Sequence, residues 1–295
     1  MATNQEFTFI FLTYNEEVHL PRTLAAIQSL GARICILDSG STDKSRAIAE
    51  SFHAEWATHA FTNHAKQWEH ALTCFQVSTP WMICLDADQV VSKELLERLT
   101  TFKSESIPTS INGIYFNRKN KFRGRWIRHG GYFPKYLLKM FRTGKGHSDL
   151  NENMDHKFIV TGETTVWKDG YIEEENFKEN EIDFWLSKHL RYSTLVAQEE
   201  IERMKKLRVQ SQERRFFGTP DQRIAWMKAI WWKLPLYWRP VLYFLYRFVF
   251  LLGFLDGKQG RLFHFLQGYW FRLIVDVKIE ELLKKERESN AGKPE

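Results

Sequence analysis

Short apolar runs alternate with helical patterns through the first 90 residues, and this alternation limits the fold more than any other feature of the sequence. Residues 7–13, 33–38 and 81–85 have the apolar composition of buried strands, and a weaker run spans residues 54–61. Apolar residues recur at helical spacing after the first run, and a further helical pattern covers residues 66–77. This order predicts an α/β fold in which helices cover both faces of a mostly parallel sheet.

The composition supports a folded protein. Of the 295 residues, 43% are hydrophobic and 26% are charged, which excludes a disordered chain. The three cysteines are too few for a disulfide framework, so we expect reduced thiols in a cytosolic protein. The first residues have neither the basic nor the apolar segment of a signal peptide, and we therefore expect the first domain to stay in the cytoplasm.

Acidic residues follow three of the predicted strands at the point where each strand ends. They are Glu16 after the first strand, Asp38 after the second, and Asp86 and Asp88 after the fourth. Because the carboxyl ends of parallel strands meet at one edge of a sheet, we expect these carboxylates to lie close together. Like charges repel unless a cation, a ligand donor or water separates them, and a divalent cation is the natural partner for this edge.

The triplet Asp86-Ala87-Asp88 is the strongest candidate for that site. Carboxylate oxygens at alternate positions suit Mg²⁺ or Mn²⁺, which protein carboxylates commonly share with substrate phosphates. Such a cation would offset the charge that develops on a leaving diphosphate. A solvated turn is the alternative for such a triplet, but its position after the fourth strand of the series favours the cation site.

Three motifs, FIFLTYNEE, ILDSGSTDKS and LDADQVV, resemble the amino-terminal half of family 2 glycosyltransferases of the GT-A fold, over roughly residues 6–100. The resemblance implies a nucleotide-sugar donor and assigns roles to the following residues. Thr13, Tyr14 and Glu16 would bind the nucleotide, Asp38 would accept from uracil or ribose, Gln67 would also contact the donor, Asp86 would bind ribose or metal, and Asp88 would ligate the metal. The family's usual basic residue after the glutamine is Trp68 here.

Local roles remain as alternatives for two of these carboxylates. Asp38 could be a turn aspartate that serves Ser41 and Thr42, one of which we expect to cap the following helix. Glu16 could complement the positive end of the first helix.

An inverting transfer needs a base near the acceptor hydroxyl, and residues 151–162 offer candidates. Glu152 and Asp155 precede a strand-like run at 158–160. The segment also resembles a motif of a subset of the family, in which the acid occupies the position of His156. Asp155 is the first candidate and Glu152 the second, and His156 could itself act because imidazole titrates near neutrality. A polar loop is the alternative for all three.

A predicted helix at about 181–207 carries Trp185, Lys188, His189 and Tyr192 on one face, and these residues resemble a W-x-x-K-H-x-x-Y stretch of the same subset. Lys188 and His189 could hold the diphosphate or an acceptor phosphate. Alternatively, the aromatic residues pack while Lys188 and His189 reach water. A basic run at 118–128 could also capture phosphate or form a solvated loop.

The back of the chain is basic and aromatic. Residues 201–295 carry 19 of the 42 Lys and Arg but only 10 of the 36 Asp and Glu, and 18 of the 44 aromatic residues lie between Phe216 and Phe271. The run at 240–255 is too short to span a bilayer. Tryptophans 231, 232 and 238 beside Lys228, Lys233 and Arg239 predict helices that lie in the interface of an anionic membrane, with a turn at Gly253–Gly260 between them. A soluble core or a dimer interface is the alternative.

We therefore predict a GT-A catalytic domain at 1–178, with a nucleotide-binding half at 1–105 and an acceptor half at 106–178. A helical region at 179–295 follows, with interfacial membrane helices at about 226–271. The predicted function is a metal-dependent inverting glycosyltransferase, monotopic on the inner face of the cell membrane, whose donor is a UDP-sugar. The tail resembles bacterial polysaccharide glycosyltransferases, which implies a lipid-linked or glycan acceptor in surface polysaccharide or lipopolysaccharide synthesis.

Two other functions remain open from the sequence. A sugar-phosphate nucleotidyltransferase would also use an acidic triplet, but no glycine-rich phosphate loop is visible. A nucleic-acid-binding protein could use the basic aromatic tail. The acidic front half disfavours the second function, so we expect no nucleic acid among the partners.

Overall fold

The computed structural model describes residues 4–150, 156–206, 217, 222, 226–227, 231 and 234–291. Its internal contacts divide the chain into two units. The first contains residues 1–124 and 132–177, and the second contains residues 125–131 and 178–295. The predicted domain boundary at 178 lies beside the second point of division, and the assignment of two domains, with the halves 1–105 and 106–178, stays a prediction.

The front of the first unit is a series of parallel strands and helices. Its elements in chain order are β1 (Asn4–Thr13), α1 (Leu20–Ile27), β2 (Ala32–Asp38), α2 (Ser45–Ser51), β3 (Glu55–Thr58), α3 (His64–Cys74) and β4 (Trp81–Asp86). The four strands pair in parallel in the order β3-β2-β1-β4. This arrangement brings the carboxyl ends of β1, β2 and β4 to one edge, as the sequence predicts.

Mixed pairing extends the sheet. The further elements of this unit are β5 (Gln89–Val91), α4 (Lys93–Thr100), β6 (Ile111–Phe122), β8 (Tyr136–Arg142), β9 (Gly146–Ser148), β10 (Phe158–Val160) and β11 (Glu163–Glu174). Beyond β4, the sheet continues through β8, β6, β11 and β5, and β9 pairs with β10 separately. Strand β8 runs antiparallel to both β4 and β6, and its residues Met140–Arg142 pair with Trp81–Ile83 of β4.

Strict alternation along β1 explains the two layers of core. Phe7, Phe9 and Phe11 join one hydrophobic cluster with the apolar side of α1. Ile10 and Leu12 join a second cluster with α3. Because successive side chains of a strand point to opposite faces, one apolar run supplies both layers. The predicted covering of the sheet on both faces is therefore present.

The predicted loop at 118–128 is wrong for its first half, because Arg118, Lys119 and Lys121 belong to strand β6. Each of these cations forms an ion pair with a glutamate of the neighbouring strand β11, and Lys121 also pairs with Glu175, the residue that follows this strand. Opposite charges on adjacent strands stabilise a sheet, which explains why these cations lie in a strand beside an acidic one.

The second unit is helical. It contains β7 (Arg125–Trp126), α5 (Ile182–Lys206), α6 (Trp238–Leu245), α7 (Gly257–Phe263) and α8 (Phe271–Ala291). A π-helical turn at Tyr246–Phe250 continues α6, and a second one at His264–Trp270 joins α7 to α8. Helix α5 packs on α8 through a small apolar cluster that includes Ala197 and Val275.

Two predictions about this unit are corrected. Arg239 was expected at the lipid headgroups, but it is 1% exposed and pairs with Asp276 and Glu200; Lys228, Trp232 and Lys233 lie outside the described residues. The predicted turn at Gly253–Gly260 is a 3₁₀ turn followed by helix α7 from Gly257. Gly260 serves close packing there, because a Cβ at that position would lie 2.1 Å from Cβ of Asp256.

No single helix among the described residues has the length and apolar character to cross a membrane. The segments Trp238–Phe250 and Gly253–Ser289, which meet at a bend of 70°, pass that test only as a pair.

Candidate active site

The two aspartates at the end of β4 have different partners within the first unit. Lys139 Nζ on β8 donates to Asp86 Oδ2 over 3.0 Å. Burial raises the pKa of Asp86, but Lys139, followed by His64, outweighs burial and holds this pKa at about 2. Asp86 is therefore ionised at neutral pH, with a cation against one of its oxygens.

Asp88 is held through both its carboxylate and its backbone carbonyl. The side-chain amide of Asn176 donates to Asp88 Oδ2 over 3.2 Å. The Asp88 carbonyl accepts from the backbone N–H of Glu175 at 3.3 Å and from Arg22 Nη2 at 3.2 Å. The segment after β11 and Arg22 therefore fix the turn that carries Asp88.

Within the described residues, no three His, Cys, Asp or Glu side chains converge closely enough to hold a metal ion. The two aspartates nevertheless fit a hard divalent cation, because Mg²⁺ and Mn²⁺ need only one or two protein carboxylates when phosphates and water complete the shell. The donor set consists of oxygen only, which suits these ions and disfavours Zn²⁺.

At the end of β2, Asp38 organises the following loop. It is 2% exposed. Its carboxylate accepts from the hydroxyls of Thr13 and Ser41 and from the backbone N–H groups of Gly40 and Ser41. These four bonds match the turn-aspartate alternative, and direct contact with uracil or ribose stays a prediction.

The predicted helix cap at Ser41 or Thr42 is wrong. Helix α2 begins at Ser45 without a side-chain cap, and the Ser41 hydroxyl instead accepts the backbone N–H of Asn15 over 2.7 Å. Asn15 has a positive φ of 54°, a conformation that asparagine tolerates well, and its side chain accepts the backbone N–H of Thr42. The loops after β1 and β2 are therefore joined at the predicted edge.

Beside this junction, Tyr14 and Glu16 lie at the end of β1 in different environments. Tyr14 is 58% exposed, as a group that meets a ligand would be. Glu16 contacts Nδ1 of the buried His19, whose Nε2 accepts the backbone N–H of Phe177. Since Nε2 is an acceptor, the proton of a neutral His19 lies on Nδ1 and is donated to Glu16.

Gln67 on α3 is buried, and its amide links two strand ends. Its Nε2 donates to the Ser39 hydroxyl and to the His59 carbonyl, both over 3.1 Å, and its Oε1 lies 2.8 Å from His59 Nδ1. These contacts fix the loops after β2 and β3. A direct contact of Gln67 with the donor stays a prediction.

Of the three candidate bases, Asp155 and Glu152 lie outside the described residues. His156 packs on Trp68, with ring centroids 5.7 Å apart, and edge-on against Phe158. Burial, with Lys139 and His64, lowers the pKa of His156 to about 3, so the imidazole is neutral at physiological pH. Neither His156 Nε2 nor Trp68 Nε1 has a hydrogen-bond partner in the described part of the chain, although both atoms are buried.

Lys188 and His189 lie on α5, in the second unit. The Lys188 ammonium lies 2.6 Å from Glu179 Oε1, and the His189 ring stacks on Trp185 with centroids 3.6 Å apart. Burial lowers the pKa of His189. His189 is therefore buried against Trp185, whereas the alternative interpretation expected it to reach water. Phosphate binding by Lys188 and His189 stays a prediction.

The sequence alone did not predict several residues of the site. Lys139 and Asn176 hold the two aspartates, and Glu174 accepts from Gln89 Nε2 at 2.6 Å and from Arg118 Nη1 at 2.8 Å. Burial raises the pKa of Glu174, but Arg118 and the bond from Gln89 bring it below its usual range. Two signals were available: a lone lysine in the apolar run YLLKMF, and three glutamates at the end of a strand.

Comparisons with known proteins identify a family and several relatives of this chain. Residues 8–156, half of the chain, match the model of glycosyl transferase family 2. The lipopolysaccharide core biosynthesis glycosyltransferase LpsC of Rhizobium meliloti is 29% identical over 204 residues, which cover 66% of this chain and 71% of LpsC. An uncharacterized glycosyltransferase of Rickettsia bellii is 29% identical over 99 residues, 34% of this chain and 33% of that protein.

Among solved structures, glucosyl-3-phosphoglycerate synthase from Mycobacterium tuberculosis, in complex with Mn²⁺, UDP and glucosyl-3-phosphoglycerate, is 16% identical with a TM-score of 0.30. The match covers 40% of this chain and 44% of the synthase, so the chain spans less than half of that structure. A match of this extent says nothing about the ligands of the present chain. The family match and the sheet with helices on both faces confirm the predicted family and fold class: this chain belongs to glycosyl transferase family 2.

Proposed function

We propose that the chain transfers a sugar, with inversion, from a UDP-sugar to a lipid-linked or glycan acceptor in lipopolysaccharide core synthesis. Membership of the family supports sugar transfer. The name of the Rhizobium relative supports an acceptor in the lipopolysaccharide core. The observation that carries the proposal is the pair Asp86 and Asp88 at the end of β4, beside the joined loops of β1 and β2.

In this proposal Asp88 holds a divalent cation, Mn²⁺ or Mg²⁺, with Asp86 as the second candidate ligand. The cation, when bound, stabilises the charge on the departing diphosphate. Asn176 orients Asp88 for this role, and the network around Asp38 and Gln67 shapes the nucleotide side of the site. Tyr14 is the exposed aromatic group available to the uracil.

The transfer requires a base that takes the proton of the acceptor hydroxyl as its oxygen attacks the anomeric carbon and the nucleoside diphosphate leaves. Asp155 stays our first candidate and Glu152 the second. His156 is a weak base because burial and Lys139 oppose its protonation. Its neutral imidazole can still accept one hydrogen bond from a substrate hydroxyl.

A panel of nucleotide sugars tests the activity. The purified protein is incubated with each donor, a lipopolysaccharide core acceptor and Mn²⁺, Mg²⁺ or chelator, and release of nucleoside diphosphate is measured. We expect release from one UDP-sugar that needs both acceptor and cation, and loss of that release in Asp88→Asn. Release that is unchanged by the chelator would contradict the role of the metal. No release from any donor would contradict sugar transfer.

We further propose that the second unit attaches to the anionic inner face of the cell membrane. Apolar side chains along α6 and its π-helical turn recur at helical spacing and remain exposed, among them Trp238 at 67% and Phe250 at 75%. Phe254 and Leu255 extend this surface at the following turn, and the exposed Lys258 and Arg261 stand one turn away. Large apolar surfaces flanked by cations are typical of membrane attachment.

Sedimentation with vesicles tests the attachment. We expect the wild-type protein to sediment with vesicles that contain phosphatidylglycerol but poorly with phosphatidylcholine alone. Replacing Phe250 and Phe254 by glutamate should abolish sedimentation, whereas glutamate at the similarly exposed Leu195 of α5 should not. Equal sedimentation of the wild type and the double variant would contradict the assignment of this surface.

A further inference from the structure

A single lysine interrupts the apolar strand β8, and it is buried. Lys139 is 6% exposed and lies between the buried residues Leu138 and Met140. An ammonium inside a protein is strongly unfavourable unless a charge or hydrogen-bonding groups compensate it. Its partners are the carboxylate of Asp86, 3.0 Å from Nζ, and the face of the Trp68 ring, 5.8 Å from Nζ.

The two members of this ion pair differ in their access to solvent. The Lys139 side chain is 7% exposed and the Asp86 side chain is 31% exposed. Asp86 is therefore the member that a ligand can reach, while Lys139 lies behind it. A cation in this place acts on a ligand through the carboxylate that it holds, and a bond between two charged groups fixes that carboxylate more firmly than a neutral one.

We propose that Lys139 is a positioning residue for the donor: it fixes the orientation of the Asp86 carboxylate, through which it governs binding of the nucleotide sugar. This inference rests on the proposed function. The Asp88 carboxylate accepts from the side-chain amide of Asn176, a different donor from the ammonium group that holds Asp86.

Lys119 supplies a matched control. It is a lysine of the neighbouring strand β6, 15% exposed at its side chain, and its Nζ lies 3.1 Å from Glu173 Oε1. Lys119→Met therefore removes a similar ion pair from the same sheet without removing the partner of Asp86. A purely structural role for Lys139 predicts the same behaviour for Lys119→Met and Lys139→Met.

The experiment measures the Kd of UDP with Mn²⁺ by calorimetry, and KM and kcat for the donor. In Lys139→Met we expect the Kd of UDP and the KM of the donor to rise about tenfold, with little change in kcat. A tenfold change corresponds to the loss of about one charge-assisted hydrogen bond. Lys139→Arg should restore most of the affinity, and Lys119→Met should bind UDP like the wild type. Wild-type UDP affinity in a folded Lys139→Met variant would overturn the inference and leave the proposed function intact.

A double-mutant cycle with Asp86→Asn tests the route of the effect. If Lys139 acts through Asp86, Lys139→Met should weaken UDP binding in the wild-type background and add little to Asp86→Asn. Equal losses in both backgrounds would contradict the inference. If Lys139→Met does not fold, Lys139→Gln, which keeps a donor without the charge, enters the same cycle. A wild-type protein that binds no nucleoside diphosphate would refute the proposed function and this inference together.

Discussion

Replacing Asp38 separates a loop-organising role from direct contact with the nucleotide. The carboxylate accepts two backbone N–H groups at one oxygen and two hydroxyls at the other. In Asp38→Asn the amide oxygen can keep the backbone bonds, and the hydroxyls of Thr13 and Ser41 can rotate to accept from the new NH₂ group. Three of the four bonds that lose the charge are partly buried, so water offsets part of their loss, and the fourth, from Thr13, is buried. Hydrogen bonds to charged groups contribute roughly 1.5–3 kcal/mol and neutral ones roughly 0.5–1.5, so we expect a net loss of about 2 kcal/mol.

The assay combines thermal unfolding with UDP titration. A loss of about 2 kcal/mol lowers the melting temperature by roughly 4–8 °C in a domain of this size. We expect that decrease, with UDP affinity within about threefold of the wild type, a change of less than 1 kcal/mol. Asp43→Asn, in the same loop, removes the charge from a carboxylate that is more exposed than that of Asp38, and it should change the melting temperature less. A large loss of UDP affinity at an unchanged melting temperature would refute the loop-organising role.

Three further predictions concern the metal ligand, the second unit and acid stability. Asn176→Ala should weaken Mn²⁺ binding in the presence of UDP by about tenfold, because Asp88 loses the amide that orients it; paramagnetic resonance of Mn²⁺ measures this, and unchanged binding would contradict it. Arg239→Met should destabilise the protein by about 3–5 kcal/mol in urea unfolding, because Asp276 and Glu200 stay buried without their cation. Replacing all three residues by apolar ones should destabilise it far less. An Arg239→Met variant as stable as the wild type would refute this prediction. Burial lowers the pKa of His156 from 6.5 to about 3, so stability is full above pH 6.5 and falls as the pH drops towards 3; His156→Gln should reduce this dependence, and an unchanged pH profile of unfolding would contradict it.

The strands of the front half were predictable because local pattern determines them. The run FTFIFLT places alternate side chains on two faces, and both faces are buried in the structure. The parallel order followed from the intervening helices, which need room to cross over the sheet. Even the edge of the sheet at which Asp38, Asp86 and Asp88 meet follows from this topology.

The partners of these residues were not predictable, because they come from distant parts of the chain. Lys139 lies 53 positions after Asp86, and Asn176 lies 88 positions after Asp88. Both reach the site through strands β8 and β11, whose mixed pairing no local pattern specifies. A lone charge in an apolar strand indicates that a buried partner exists, but it does not identify that partner.

Errors in the helical region came from residues with two possible uses. Gly260 was assigned to a turn, but it permits close approach of helix α7 to Asp256. Arg239 was assigned to lipid because it lies among tryptophans, but its guanidinium neutralises two buried carboxylates. Composition describes both situations equally well, and only the tertiary packing distinguishes them.

The central claim is that the aspartates after β4 bind a nucleoside diphosphate with a divalent cation. Calorimetric titration of UDP into the wild-type protein and Asp88→Asn, with Mn²⁺ and with chelator, tests it most directly. We expect Mn²⁺ to tighten UDP binding to the wild type, and Asp88→Asn to lose this enhancement while its melting temperature stays unchanged. UDP binding that is equally tight in all four titrations, or absent from all of them, would contradict the claim.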